Sequence, residues 1–187
     1  MMKEKVKTYT LTEVDGKVIR NFTGEMYERD SEWREDQKDY YIVGVNNWII
    51  NPDGLFLVQR RALTKKNNPG KWSSTNGLIQ AKEENYETVQ RETYEELGIS
   101  INKDQVFLVE ANHLAGSHLV VDIFVSLLDE SIDEKDIKKQ DDEVDLISYV
   151  TLEQLLDLDI STTCSYIKDL APKMYEIYLQ RHITNRY

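Results

Sequence analysis

The first elements of this chain announce themselves by alternation of apolar and polar positions. Val6, Tyr9, Leu11 and Val14 precede Asp15-Gly16, and Val18 and Ile19 follow it, so residues 7–20 are predicted to form a β-hairpin. Residues 21–39 are polar and charged, compatible with a loop, an edge strand or a dimer arm. The run YYIVGVNNWII at 40–50 reads as a strand that stops at the turn-forming Asn51-Pro52-Asp53-Gly54, and LFLVQR at 55–60 reads as the next. A polar loop follows, with a short strand expected near Trp72.

At 85–97 the period changes. Tyr86, Val89, Thr93 and Leu97 fall on one face of a helix, and Gly98 stands where that helix should stop. Two further strands are predicted at 105–112 and 118–128 around Ala115-Gly116-Ser117, then an acidic loop to 143 and a strand at 146–150. Thr151 with Gln154 has the pattern of a capping box for a short helix, and the apolar spacing of Ile167, Leu170, Met174 and Ile177 predicts a helical tail over 163–182. Strands on both sides of one central helix, with later helices, imply an α/β fold with a mixed sheet.

Composition narrows the setting. The chain has 187 residues, 40% hydrophobic and 10% aromatic, which suits a folded core rather than general disorder. No apolar run approaches the roughly 18 residues of a membrane helix, and the N-terminus lacks a signal-peptide stretch, so no membrane partner is expected. The only cysteine, Cys164, cannot form an internal disulfide, which points to a cytoplasmic setting. With a net charge of −11 the chain is a poor partner for a nucleic-acid polymer. It can still take a phosphorylated small molecule if its acids hold metal.

The charge is unevenly placed. Residues 83–96 carry six glutamates (Glu83, Glu84, Glu87, Glu92, Glu95 and Glu96) against one cation, Arg91. Gly54 to Lys82 has no acid at all and contains Arg60, Arg61, Lys65, Lys66, Lys71 and Lys82. That stretch is either a solvated basic loop or a place where an anion is captured beside carboxylates. On the predicted helix, Glu92, Glu95 and Glu96 share an arc of about 100°. Two charges about 5 Å apart repel by about 3 kcal/mol at an effective dielectric near 20, so the grouping favours either a solvated acidic face or a bound hard cation such as Mg²⁺ or Mn²⁺.

The wider spacing decides between them. Gly77, Glu83, Arg91, Glu92, Glu95, Glu96 and Gly98 stand at the spacing of a Nudix box, running from Gly77 to Ile99. If each type occurs at about one position in ten, seven fixed matches arise by chance about once in 10⁷ starts. The chain therefore resembles the Nudix family of metal-dependent pyrophosphohydrolases, over about residues 40–158. Thr93 replaces a larger aliphatic residue, Asn76 precedes Gly77 where a second glycine is common, and Lys82 replaces a glycine before the first glutamate.

The resemblance implies an α/β/α sandwich with a mixed sheet, bearing an N-terminal hairpin and a C-terminal helical tail. Together with the apolar pattern of the flanking segments, it predicts a hairpin and arm at 1–39, a Nudix domain at 40–160 and a helix at 161–187 belonging to the same domain. By the same resemblance Glu92 and Glu96 are the principal Mg²⁺ or Mn²⁺ ligands, with Glu95, Glu83 and the Gly77 backbone close to the metal and Arg91 orienting the glutamates. Arg60, Arg61 and Lys71 are the candidates for phosphate binding. Glu143, on a loop before a strand, is the candidate base or an added ligand, and its acidic neighbours Asp141, Asp142 and Asp145 are expected to raise its pKa. The implied substrate is a nucleoside diphosphate linked to another group, or a related phosphorylated metabolite. The N-terminal arm is compatible with a homodimer.

Two other readings share the fold. The layout around VDGKVIRNFTGE and KKNNPGKW is similar to Nudix proteins grouped with isopentenyl-diphosphate isomerase. That enzyme uses a cysteine and a histidine just before its box helix, where this chain has Ser73-Ser74-Thr75-Asn76-Gly77-Leu78. A non-catalytic nucleotide-binding module usually loses box carboxylates, and this chain keeps them. Trp48 and Trp72 are read as core or pocket wall, His113 and His118 as unrelated to metal, and Cys164 as a buried small hydrophobe.

Overall fold

The computed structural model describes residues 5–28, 40–115, 118–159, 161–164 and 166–184. In chain order these form β1 (Lys5–Val14), β2 (Lys17–Glu28), β3 (Tyr41–Ile50), β4 (Phe56–Arg61), β5 (Trp72–Ser73), β6 (Thr75–Leu78), α1 (Asn85–Leu97), β7 (Val106–Leu114), β8 (Leu119–Leu127), β9 (Val144–Val150), α2 (Leu152–Asp157) and α3 (Ile167–Thr184). The chain folds as two compact units interleaved in sequence. The first draws on Met1–Asn46, Asn76–Val89 and Leu108–Phe124, and the second on Asn47–Thr75, Gln90–Phe107 and Val125–Tyr187.

In the first unit the Asp15-Gly16 turn, both residues at positive φ, closes the β1–β2 hairpin, and β1 then pairs with the start of β3 through Thr8–Ile42 and Tyr9–Tyr41. The hairpin is longer than the apolar pattern suggests. β2 runs on to Glu28, past a register shift between Lys7 and Tyr9, because alternate residues of the ladder satisfy their backbone groups against β1 whatever their side chains. The arm expected at 29–39 and the Gly116-Ser117 pair lie outside the described residues. Val6, Val43, Val45, Ile79, Val89, Val120 and Ile123 are buried in this unit. Burial of each such aliphatic side chain stabilises by about 1.5–3 kcal/mol.

The second unit is built around β4, which pairs antiparallel with the end of β3, with β5 and with β9. A parallel bridge between Trp72 and Thr163 extends the β5 edge, so the strand pairings are mixed, as expected. The turn at 51–54 is fixed by the Asn51 side chain, which accepts from the N–H of Asp53 and of Leu55. Tyr178 of α3 donates to the Pro52 carbonyl at 2.8 Å, and Gly54, at φ +78, leaves room for that ring. Trp48, Ile50, Phe56, Val58, Leu97, Leu155, Ile167 and Met174 fill this unit's interior.

The predicted helix over 85–97 is α1, and Gly98 ends it at φ +67. Val89, Thr93 and Leu97 are buried along one face, as the period requires. Thr93 is not a packing flaw: the Asn47 side chain donates to its hydroxyl and accepts from Ser126. α2 carries the expected capping box, with Thr151 accepting from the Gln154 N–H. β6 has no counterpart in the sequence pattern, because four residues, TNGL, are too few to show alternation. No helix among the described residues is long and apolar enough to cross a membrane.

Candidate active site

α1 presents the box glutamates in two environments. Glu96, near its C-terminal end, is 4% exposed, and Glu92, one turn earlier, is 9% exposed. Glu95 points outward and takes one end of Arg91, whose guanidinium donates to Glu92 at 2.7 Å and to Glu95 at 3.0 Å. Arg91 therefore joins two of the carboxylates by charge-assisted hydrogen bonds.

Glu96 has no such cation on it. Its Oε2 accepts from Gln59 Nε2 at 2.6 Å, and the donor is itself buried on β4. Burial above all pushes the Glu96 carboxyl up to about 8; the Gln59 hydrogen bond works against that, Glu92 and Glu143 add to it, and Arg61 opposes it. A dry carboxylate facing two like charges is stabilised by anything that brings positive charge to it. The donor set, hard carboxylate oxygen with a surplus of negative charge, fits Mg²⁺ or Mn²⁺. Among the described residues, however, no three acidic, histidine or cysteine side chains are already gathered as a finished cation cage.

Glu143 belongs to the same unit as Glu92 and Glu96. Its loop is tied down by Gln140 N–H to the Glu96 carbonyl and by Ala62 N–H to the Glu143 carbonyl, both at 2.9 Å. Lys65, from the basic stretch, pairs with the Glu143 carboxylate at 2.5 Å. Of the acids expected to press on Glu143, Asp145 is neutralised by Arg60, whose Nε donates to it at 2.9 Å. Arg60 is thus partly committed within the protein. Arg61 donates to the Asn67 carbonyl at 3.1 Å and its charge reaches Glu96. The charges of Arg61 and Lys71 both reach Cys164, whose thiol is nonetheless pushed up by burial.

In the first unit, Glu83 is held at the start of α1: its carboxylate accepts from the Thr88 hydroxyl at 2.8 Å and from the Gln80 N–H at 3.1 Å. Gly77 lies on β6, where a side-chain carbon at Gly44 of β3 would meet the Gly77 carbonyl at 2.8 Å. Gly44 is therefore needed for that close approach, as glycine alone allows. Asn76 is held by Asn46 Nδ2 at 2.7 Å, so the residue that departs from the usual box has its own partner. Gln59 and Gly44 escaped the sequence reading. The only trace of Gln59 was one polar residue on the same strand face as the buried Leu57.

Comparison with known proteins bears on the family and the fold. A family model for the NUDIX domain matches residues 40–169. A MutT protein from Methanosarcina mazei Go1 is 27% identical, with a TM-score of 0.60 over 74% of this chain and 95% of that one. An Ap4A hydrolase from C. elegans superposes with a TM-score of 0.54 over 74% of this chain and 98% of that one at 19% identity, a likeness of fold. An isopentenyl-diphosphate Delta-isomerase of Escherichia coli O1:K1 is 46% identical over 57 residues, 30% of this chain and only 31% of that relative's length. The box running from β6 through α1, the α/β fold with its mixed sheet and the match across most of the chain leave one conclusion: the chain belongs to the Nudix family.

Proposed function

We propose that this protein is a Mg²⁺- or Mn²⁺-dependent hydrolase that cuts the pyrophosphate of a nucleoside diphosphate linked to another group, or of a related phosphorylated metabolite. The observation that carries the reading is Glu96: a buried box carboxylate whose one hydrogen-bond donor is neutral and whose nearby acids, Glu92 and Glu143, share its sign. Glu92 and Glu96 would hold the cation, with Glu95, Glu83 and the Gly77 backbone as further candidates. When bound, the cation neutralises the pyrophosphate and draws electron density from its oxygens.

The chain's own groups do the rest. Arg91 keeps Glu92 and Glu95 in register. Arg61 and Lys71 bind phosphate oxygens, and Arg60 contributes less because Asp145 already satisfies it. Glu143 accepts the proton of the attacking water, with Lys65 fixing its carboxylate, or else serves as an added ligand. The catalytic region is taken as residues 40–160 with α3 packed in the same domain, and the setting as cytoplasmic, since Cys164 has no partner for a disulfide. A homodimer through the N-terminal arm is part of the same reading.

A second reading rests on the isomerase likeness. Against it, Ser73, Ser74 and Thr75 put buried hydroxyls, and neither thiol nor imidazole, before the box helix. The test is to incubate the pure protein and Mg²⁺ with nucleotide sugars, NADH, ADP-ribose, diadenosine polyphosphates, oxidised nucleoside triphosphates and isopentenyl diphosphate. Release of a nucleoside monophosphate or pyrophosphate supports the hydrolase. Dimethylallyl diphosphate as product, or tight nucleotide binding without turnover, would replace it.

A further inference from the structure

Gln59 lies on β4 with its side chain 3% exposed, on the same face as Leu57. An amide in so dry a place is costly unless both its ends are satisfied. Here one end is: Nε2 donates to Glu96 Oε2 at 2.6 Å. The other, Oε1, is buried without a hydrogen-bond partner. Ser73, the cross-strand neighbour of Gln59 on β5, is fully buried and its hydroxyl is likewise unpartnered. A leucine or methionine would fill the same volume without that loss, so packing does not account for glutamine here.

We propose that Gln59 is a positioning residue that fixes the Glu96 carboxylate for cation binding. This inference rests on the metal-dependent reading of the site. An arginine or lysine in its place would cancel the charge that the cation needs. The amide holds one carboxylate oxygen, Oε2, without neutralising it and leaves Oε1 of Glu96 to be aimed. Partners that orient a metal ligand from behind commonly change metal affinity by about 10- to 100-fold when removed.

The experiment is a direct titration of Mn²⁺ into the metal-free protein, followed by electron paramagnetic resonance of the free ion. Wild type, Gln59→Met, Ser73→Ala and Glu96→Gln are compared, with circular dichroism to establish folding. Gln59→Met should weaken Mn²⁺ binding about 10- to 100-fold. It should raise the Mg²⁺ concentration for half-maximal rate by a similar factor, while substrate KM at saturating Mg²⁺ stays near wild type. Ser73→Ala, in the same buried patch, should keep wild-type affinity. If Gln59→Met does not fold, Gln59→Asn, which keeps an amide but withdraws it from Glu96, should show the same loss. A folded Gln59 variant with wild-type Mn²⁺ affinity, alongside a Glu96→Gln that has lost it, overturns this inference alone. Wild-type protein that binds no Mn²⁺, or binds it undiminished without Glu96, overturns the metal reading as well.

Discussion

Among the described residues the driest acid of each unit, Asp122 in the first and Glu96 in the second, is treated in the opposite way to the other. Asp122, on β8 in the first unit, is fully buried, and Arg20 of the hairpin meets it at 2.9 Å. Asn85 also donates to it, as does the Asn112 N–H at 3.0 Å. A cation and neutral donors thus saturate the charge, and nothing more is asked of it. Glu96 in the second unit is nearly as dry, yet it receives one neutral amide and has Glu92 and Glu143 for company. A saturated buried carboxylate is a structural element. One left short of positive charge costs stability, and on the proposed metal-dependent reading a bound cation supplies the balance.

The sharpest way to break this comparison is to neutralise each acid in turn. Glu96→Gln should abolish turnover while the metal-free protein stays as stable as wild type or gains stability, since like-charge repulsion is relieved. Asp122→Asn should do the reverse. It leaves the largely buried Arg20 guanidinium uncompensated, so a stability loss of about 3 kcal/mol is expected in urea unfolding, with turnover per folded molecule preserved. A Glu96→Gln protein that melts early but still turns over would make Glu96 structural and erase the distinction.

Next in size is Glu143. Glu143→Gln should lower kcat about 10²- to 10⁴-fold if it is the base, with Mn²⁺ affinity unchanged. A weakened affinity instead assigns it as a ligand, and a near-normal kcat sends the search to Glu95. Smaller again is the basic stretch. Neutralising Arg61 or Lys71 should raise KM about tenfold or more, as loss of a charged hydrogen bond of about 1.5–3 kcal/mol requires, with the Mg²⁺ requirement little changed. Arg60→Ala should have less effect on KM, because Arg60 already spends its guanidinium on Asp145. Equal KM values in all three variants would make the stretch a solvated loop.

A further contrast is a pH slope. The folded value for Glu96, about 8, lies above the ordinary 4.5, so the metal-free native protein keeps a proton that the unfolded chain releases over that range. Stability that is present below about pH 4.5 should therefore decline as pH rises toward 8. Glu96→Gln should flatten that part of the slope in thermal melts, and saturating Mg²⁺ should oppose the decline by binding the charged form.

These two acids also show what the sequence could and could not disclose. Glu96 was legible because it belongs to a fixed local pattern from Gly77 to Gly98 on one helix and its leading loop. Asp122 was not, since its cation, Arg20, lies 102 positions away (122 − 20) and only folding of the hairpin brings it there. Gln59 was hidden for a related reason: at the end of LFLVQR a polar residue reads as the strand's exit to solvent, whereas at Gln59 β4 is flanked on both edges, by β5 through Ser73 and by β9 through Ile147. The need for Gly44 is not local either, since it comes from the Gly77 carbonyl, which only the fold places against it. α1, α2 and the main strands were legible because their periods and caps are local, and β6 was not because it is too short to have a period.

The central claim is that Glu96 is a buried carboxyl, short of positive charge, that gives up its proton when a cation binds. Calorimetric titration of Mg²⁺ into the metal-free protein near pH 7, in two buffers of different ionisation enthalpy, tests it most directly. Wild type should bind Mg²⁺ with release of protons, because a carboxyl raised to about 8 must give up its proton to become a ligand. Glu96→Gln should bind far more weakly and release none. Equal affinity in both proteins, with heats independent of buffer, would contradict the account.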